Sequence, residues 1–586
     1  MLHTLAFAGG QYALLAAWLF GCWGIGWARL RGTAGSAVTE PVAITLGIGI
    51  WICALQALGI GGALLKTPVL MLAGFGAVCG GLEVARRMRH RQRGTPSIEG
   101  ATVSAAEKWT FVAVALLALP TFLAPLSPPM AWDELAYHLP HAQQWAATGR
   151  LQINDWLRYP WFPANYDLLF AGALLFGNDV LPHLLHAAAG WLTAWLIYGL
   201  GVRHLQDRVA GGVAAALWLI LSKGQYDRAY IDMGATLFIL VACAALLEWR
   251  GSAARRWLVA SAFSLGVAAG AKYQVLALLP FFAVVLALRD RRPTTWLLAA
   301  SALALPCIYW YARNAWLTGD PFNPIGGKLF GFSDWNLADY QGQFADLHDK
   351  AGWPDWLLWP AVAVPFLAAL RQRPAVRGAL VLGAYMLLVW VATSRYPRYL
   401  MTAYPVLALL SAAGACHVVR AMRRKATWQF APHIARYAGG MLVLIVVIAG
   451  TTWTLRHAQR IASTPAAREA MLQSEVNGYG MWAWLRDDRT GDSRKRIYQL
   501  GLEESLYFAP QPIWGDVFGR WRYADVVTLA PEAMHRKLAS QGFDALVLDT
   551  ARWPNLATQP GFDRYFILRH TEGATRLYSI APNEFP

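Results

Sequence analysis

Charge is what this sequence has least of. Only 15% of its 586 residues are Asp, Glu, Lys or Arg, against about 25% in an ordinary soluble domain. That shortage excludes a conventional soluble architecture. Cysteine is scarce as well: Cys22, Cys53, Cys79, Cys243, Cys307 and Cys416 all lie within or beside apolar runs, and no pair has metal spacing. The long polar C-terminal stretch holds no cysteine, which excludes a disulfide framework there. No Walker-type loop and no dinucleotide fingerprint occurs, nor any fixed-period repeat, Gly-Ser linker or low-complexity tract. "MLHTLAFAGG" lacks a basic n-region and a cleavage site, so it reads as the approach to a first retained span.

What the sequence does have is apolar length. Hydrophobic residues make up 56% of the chain. They recur in runs that predict about fourteen membrane spans, centred near residues 20, 52, 76, 118, 191, 215, 240, 263, 281, 303, 362, 385, 407 and 446. The 29 Trp suit the headgroup interface. The formal charge of +16 resides in short loops: "RRMRHRQR" from Arg86, "RGSAARR" from Arg250, "RDRR" from Arg289, "RQRPAVR" from Arg371 and "RAMRRK" from Arg420. All five fall on one side of a fourteen-span chain, which predicts that side as the cytoplasm. The excess therefore points to topology and anionic lipid, and no nucleic-acid partner is expected.

The opposite side receives the loop 127–179, which is too long for a connector. Within it "ELAYHLPHAQQWAATG" predicts an amphipathic surface helix closed by Gly149. After about residue 456 the pattern becomes that of a soluble α/β module. "RIYQLG" and "DALVLD" read as strands, "PEAMHRKLASQG" as a helix, and "RYFILRHTEGATRLYSI" as a hairpin turning at Glu572-Gly573. Three regions follow: 1–108, N-terminal spans with a basic cytoplasmic loop; 109–455, a membrane core; and 456–586, an external domain.

Ionisable residues gather at the outer span ends. Asp133 and Glu134 follow the fourth span, Asp232 opens the seventh, Lys272 sits in a tight turn, Arg313 ends the tenth, and Arg395 and Arg398 lie between the twelfth and thirteenth. Ionisable groups at membrane depth are costly, so several on one side predict a shared polar cavity. The mixture of acids and bases suits attack on a lipid-linked sugar phosphate. Cations hold the phosphate and stabilise its growing charge, and a carboxylate takes the acceptor's hydroxyl proton. Such a donor needs no nucleotide.

Five pieces carry a family resemblance: "WDE" at Trp132–Glu134, "YID" at Tyr230–Asp232, "AGAKYQ", "WYARNAWLTGDPFNP" and "SRYPRYLMTAYP". In their order and side, over about 110–455, the chain resembles the GT-C superfamily of polyprenyl-phosphate-sugar glycosyltransferases, near the aminoarabinose transferases and protein O-mannosyltransferases. About three additional spans precede the acidic loop. The resemblance implies a polytopic helical fold and an inverting transfer outside the cytoplasm, from a polyprenyl-phosphate sugar to a glycolipid, polysaccharide or protein. It implies Asp133 as the base with Glu134 beside it and Asp232 as a second acidic position. Lys272, Arg313, Arg395 and Arg398 are then donor-phosphate residues. The expected location is the bacterial inner membrane, with the C-terminal domain in the periplasm.

Two histidine pairs have i, i+3 spacing, which puts both rings on one helical face. His138 and His141, with Glu134 nearby, are candidates for a divalent metal, a cofactor some relatives use. His183 and His186 read as polar contacts between helices. The Trp and Tyr residues of 156–166 suit interfacial anchoring or sugar stacking. Two other functions fit the same composition: a transporter or flippase of an amphiphilic anion, and a noncatalytic envelope assembly factor. Span-end clustering without an internal repeat disfavours transport.

Overall fold

Apolar length and backbone hydrogen bonding leave helices as the structural unit of the membrane part. The computed structural model describes residues 2–31, 36–92, 103–425, 431–487 and 495–582. Residues 93–102 of the expected basic loop after the third span lie outside the described residues; the tract that precedes them, from Arg86, completes the helix Lys66–Gln92. Each of the fourteen predicted span centres falls in a helix or 3₁₀ segment. Nine of the described helices are long and apolar enough to cross a membrane. The other positions fall on shorter elements, Arg208–Leu221, Arg255–Ala269, Tyr273–Arg289 and Trp356–Phe366, or on the helix Ala431–Gln459. The chain is a polytopic α-helical membrane protein with a small C-terminal sheet domain.

Two compact units make up the chain. The first comprises Met1–Ser127, Pro163–Tyr309 and Phe344–Ile461. Its innermost helix is Asp232–Ser252, with 89% of its apolar window buried. Small residues set the closest approaches in this unit. A Cβ on Gly26 would lie 1.7 Å from Ala43 O, and one on Gly47 would lie 1.8 Å from Cys22 O. Only glycine lets the helices Leu2–Leu30 and Thr39–Ile60 pack backbone against backbone in this way.

The second unit comprises Pro128–Phe162, Trp310–Gln343 and Ala462–Pro586. The polar module expected from about 456 is thus joined by two segments distant in sequence. Its strands are β1 (Ile497–Leu500), β2 (Ile513–Trp514), β3 (Ala545–Asp549), β4 (Phe566–Glu572) and β5 (Thr575–Ile580). They form one sheet in the order β2-β1-β3-β5-β4, parallel from β2 to β3 and antiparallel beyond. The all-buried pattern of β1 and β3 matches their mostly apolar sequences, Gln499 and Asp549 being the polar exceptions. The helix Pro531–Ser540 supplies Met534 and Leu538 to the core. The two-residue strand β2 has no sequence signature.

Two ion pairs and a hydrogen bond tie the three segments of this unit together. Arg158 grips Asp516 through Nε, 2.9 Å from Oδ1, and through Nη2, and both side chains are buried. Arg522 Nη2 donates to Asp339 Oδ2 at 2.8 Å, joining the third segment to the second. Tyr159 OH donates to Gln343 Oε1 at 2.7 Å, joining the first to the second. These partners lie far apart in sequence, so folding alone brings them together.

Candidate active site

Within the first unit, three of the residues singled out above meet. Asp232 is the first residue of the helix Asp232–Ser252, where a carboxylate complements the exposed amides, and it is 5% exposed. The amide of Met233, one of those otherwise unserved donors, is taken by His186 Nε2 at 3.1 Å. His186 Nδ1 pairs with Gln225 O at 3.1 Å. A neutral ring protonated at Nδ1 satisfies both bonds, so His186 fixes the start of this helix to the loop before it.

Lys272 reaches Asp232 from the turn that ends the helix Arg255–Ala269. Asn165 locks that turn: its amide N–H donates to Gly270 O at 2.8 Å, and its side chain donates to Pro306 O at 2.9 Å and Val267 O at 3.2 Å. A Cβ on Gly270 would meet Asn165 Nδ2 at 2.1 Å, so any larger residue there would displace the Asn165 side chain from these bonds. Lys272 Nζ lies 2.5 Å from Asp232 Oδ1 and 4.4 Å from the centre of the Tyr399 ring. Arg398 Nε lies 3.8 Å from Asp232 Oδ2, its guanidinium 5.1 Å from the Tyr230 ring centre. Two cations converge on one carboxylate, framed by tyrosine faces that favour cations. Such a cluster attracts an anion.

The remaining basic candidates have other surroundings. Arg395 takes a left-handed backbone, φ 52°, and its guanidinium sits 4.6 Å over the Trp353 ring. The Gly352 N–H donates to Arg395 O at 2.9 Å, and Arg395 Nη2 donates to Gly352 O at 3.4 Å. Arg395 therefore clamps the 352–353 segment, and no contact with Asp232 is found among those described. Arg313 belongs to the second unit. Its Nη2 donates to Trp161 O at 3.1 Å and to Asn314 Oδ1 at 2.9 Å, and Asn314 Nδ2 donates to the same carbonyl at 2.8 Å. Together they brace the loop 160–161.

The second unit also holds Asp133 and Glu134, and here the structure separates the pair. Glu134 is fully buried, and its Oε1 accepts the amides of both Met130 and Ala131 at 2.6 Å. Its charge is committed to holding the preceding turn. Asp133 is half-buried at the mouth of a π-helical turn, Glu134–His138, that opens into the helix Leu139–Thr148. Leu139 N reaches back to Glu134 O across the widened turn, directly before Pro140, which has no N–H and crowds a regular helix. Trp132 packs under Arg158, whose guanidinium is 4.5 Å from its ring centre. Arg158 and Asp516, which carried no motif, thus position the turn bearing Asp133.

Of the histidine pair His138 and His141, the second has both ring nitrogens engaged within the protein. His141 Nε2 pairs with Arg158 O at 2.9 Å and Nδ1 with Asn154 Nδ2 at 3.2 Å, while Asn154 Oδ1 accepts from Gln152 and so fixes that amide's orientation. No group of three or more His, Cys, Asp or Glu is placed to hold a metal among the described residues. Burial pushes the His141 ring down to about 4, against the opposing pull of the Arg158 carbonyl. Below about pH 6.5 the unfolded ring takes a proton that the folded one refuses, so stability falls as pH drops toward 4, by about 3 kcal/mol in all. Acid unfolding of the full chain, followed by near-ultraviolet circular dichroism, should show this slope. His141→Gln should flatten it, and an unchanged slope would assign the acid sensitivity elsewhere.

Comparison with known proteins adds three findings. A family model described as SF2091/S2213 matches residues 467–579. Two curated proteins of Shigella flexneri are similar to parts of the chain. Uncharacterized protein SF2093/S2215 is 28% identical over 163 residues, 28% of this chain and 79% of that protein. Uncharacterized protein SF2092/S2214 is 29% identical over 143 residues, 22% of this chain and 78% of that protein. Among solved structures, ArnT from Cupriavidus metallidurans in the apo state matches with a TM-score of 0.50 at 15% identity, over 81% of this chain and 98% of that one. ArnT from the same organism bound to undecaprenyl phosphate matches with a TM-score of 0.47 at 15% identity, over 82% and 99%. The likeness to the apo structure shows the fold: this chain has the same membrane architecture.

Proposed function

We propose that this chain is an inverting membrane glycosyltransferase that moves a single sugar from a polyprenyl-phosphate donor to a hydroxyl of a glycolipid, polysaccharide or protein. The observation that carries this is the Lys272–Asp232–Arg398 cluster, two cations brought to a buried carboxylate in a membrane unit of GT-C-type fold. An amphiphilic donor keeps its chain in lipid and offers its phosphate to such a site. The order of the sequence motifs supports the same donor class.

The chemistry is a direct displacement. Asp133 takes the proton of the acceptor hydroxyl, whose oxygen bonds to the anomeric carbon as that carbon's bond to the phosphate oxygen breaks. The electron pair leaves with the phosphate, and Lys272 and Arg398 stabilise the charge that grows there. A β-linked donor thus gives an α-linked product and free polyprenyl phosphate. Asp232 keeps the two cations in place, and Glu134 keeps the turn of Asp133 in shape. The basic loops at the opposite span ends support a periplasmic side of the inner membrane for this chemistry.

The test is polyprenyl-phosphate release from a panel of polyprenyl-phosphate sugars by the full chain in lipid, with a total envelope extract as acceptor. Release from one donor is expected, and it identifies the sugar. Saturable donor binding with no release from any of them would overturn the transferase and favour transport.

A further inference from the structure

The second unit contains a cleft that the chemistry above does not use. It offers about 240 Å³, open to solvent, between the helix Leu139–Thr148 and the segment 506–513, a little under the about 300–1,000 Å³ of drug-sized sites. Its polar lining is all amide: Gln143 and Gln144 from the helix, and Gln511 from the facing segment. Trp156 supplies the aromatic wall and prolines much of the remainder. None of the described residues lining it is ionisable.

That lining selects a ligand class. Each amide offers both an acceptor and donors, the pairing a sugar hydroxyl needs, since a hydroxyl also does both. The indole face suits the apolar face of a pyranose ring. An anionic headgroup, a phosphorylated sugar or a uronate finds no cation here. A proline-rich peptide wants a row of aromatics, and the cleft has one. Two features preorganise it. Gln511 Nε2 donates to Lys495 O at 2.5 Å, which sets its amide plane. Trp156 packs against Trp514 of β2, ring centres 6.2 Å apart.

The position matters too. The helix that carries Gln143 continues the π-helical turn beginning after Asp133, so the cleft lies about 15 Å along the same element. We infer that this cleft binds an uncharged glycan, and that the acceptor is a neutral saccharide chain whose further residues rest here while one hydroxyl reacts. The acceptor assignment rests on the transferase reading; the glycan site does not.

The experiment titrates the full-length protein in lipid nanodiscs with short malto-, manno-, galacto- and chito-oligosaccharides. Binding is read by saturation-transfer NMR and by indole fluorescence. At least one series should bind saturably. Affinity should fall about tenfold or more in Trp156→Ala, the loss of one good stacking contact. Ala147→Trp, which fills the cleft from an exposed helix position, should weaken it at least as much. The inference is overturned if no series binds, if binding survives both substitutions, or if a sulfated oligosaccharide or a proline-rich peptide displaces the neutral one more tightly. Polyprenyl-phosphate release is measured on the same samples. Glycan binding without release leaves the site standing and removes the transferase reading; release without glycan binding does the reverse.

Discussion

Asp133→Asn is expected to lower the turnover of sugar transfer by about 10²–10⁴-fold, the range for loss of a positioned general base. Donor affinity and thermal unfolding should stay close to wild type. The reason is geometric. Asp133 is half-buried at the start of a π-helical turn, and an amide of the same shape keeps its place but cannot take a proton. Glu134→Gln makes the informative contrast. It weakens two charge-assisted bonds to the amides of Met130 and Ala131 and should destabilise the turn by about 1–3 kcal/mol. Its activity loss should therefore track its stability loss. Full turnover in Asp133→Asn with the fold intact would remove Asp133 as the base.

Lys272→Met is expected to abolish donor binding and to destabilise the first unit by about 3–5 kcal/mol, the cost of leaving a buried charge without its partner. Asp232 is 5% exposed and would keep Arg398 at 3.8 Å, with His186 the other group acting on it. The double variant Asp232→Asn/Lys272→Met separates the two effects. It removes both charges of the closest pair, so thermal stability should return toward wild type while donor binding does not. Recovery of both together would make the cluster a structural ion pair and nothing more. Loss of stability in the double variant equal to that of Lys272→Met alone would assign the cost to packing of the lysine stem.

Much of the fold was legible because membrane helices are written locally. A run of apolar residues long enough to span lipid is a helix wherever it sits, since its backbone groups have no other partners there. The fourteen span centres fell in helical elements for that reason. The spans that proved short, such as Arg208–Leu221 and Trp356–Phe366, lie in runs whose apolar extent exceeds the regular helix. Hydropathy counts the former and not the latter. In the polar module β1, β3 and the terminal hairpin were legible from short apolar runs and from Gly573. The strand β2 is too short to carry a pattern.

The candidate site was legible residue by residue but not as an arrangement. The sequence by itself determined which ionisable side chains stand at span ends, because each is an exception in an apolar setting. Tertiary structure alone decided their partners. It brought Lys272 and Arg398 to Asp232 across separations of 40 and 166 residues, and turned Arg395 to Trp353 and Arg313 to the loop 160–161. It committed Glu134 to backbone amides and both nitrogens of His141 to hydrogen bonds. It also joined Arg158 to Asp516, a pair 358 residues apart with no motif around either. Hydropathy and helix formation act on neighbours in the chain, so a sequence displays them. Ion pairs and hydrogen bonds act between groups that only the packing of distant segments brings within a few ångströms.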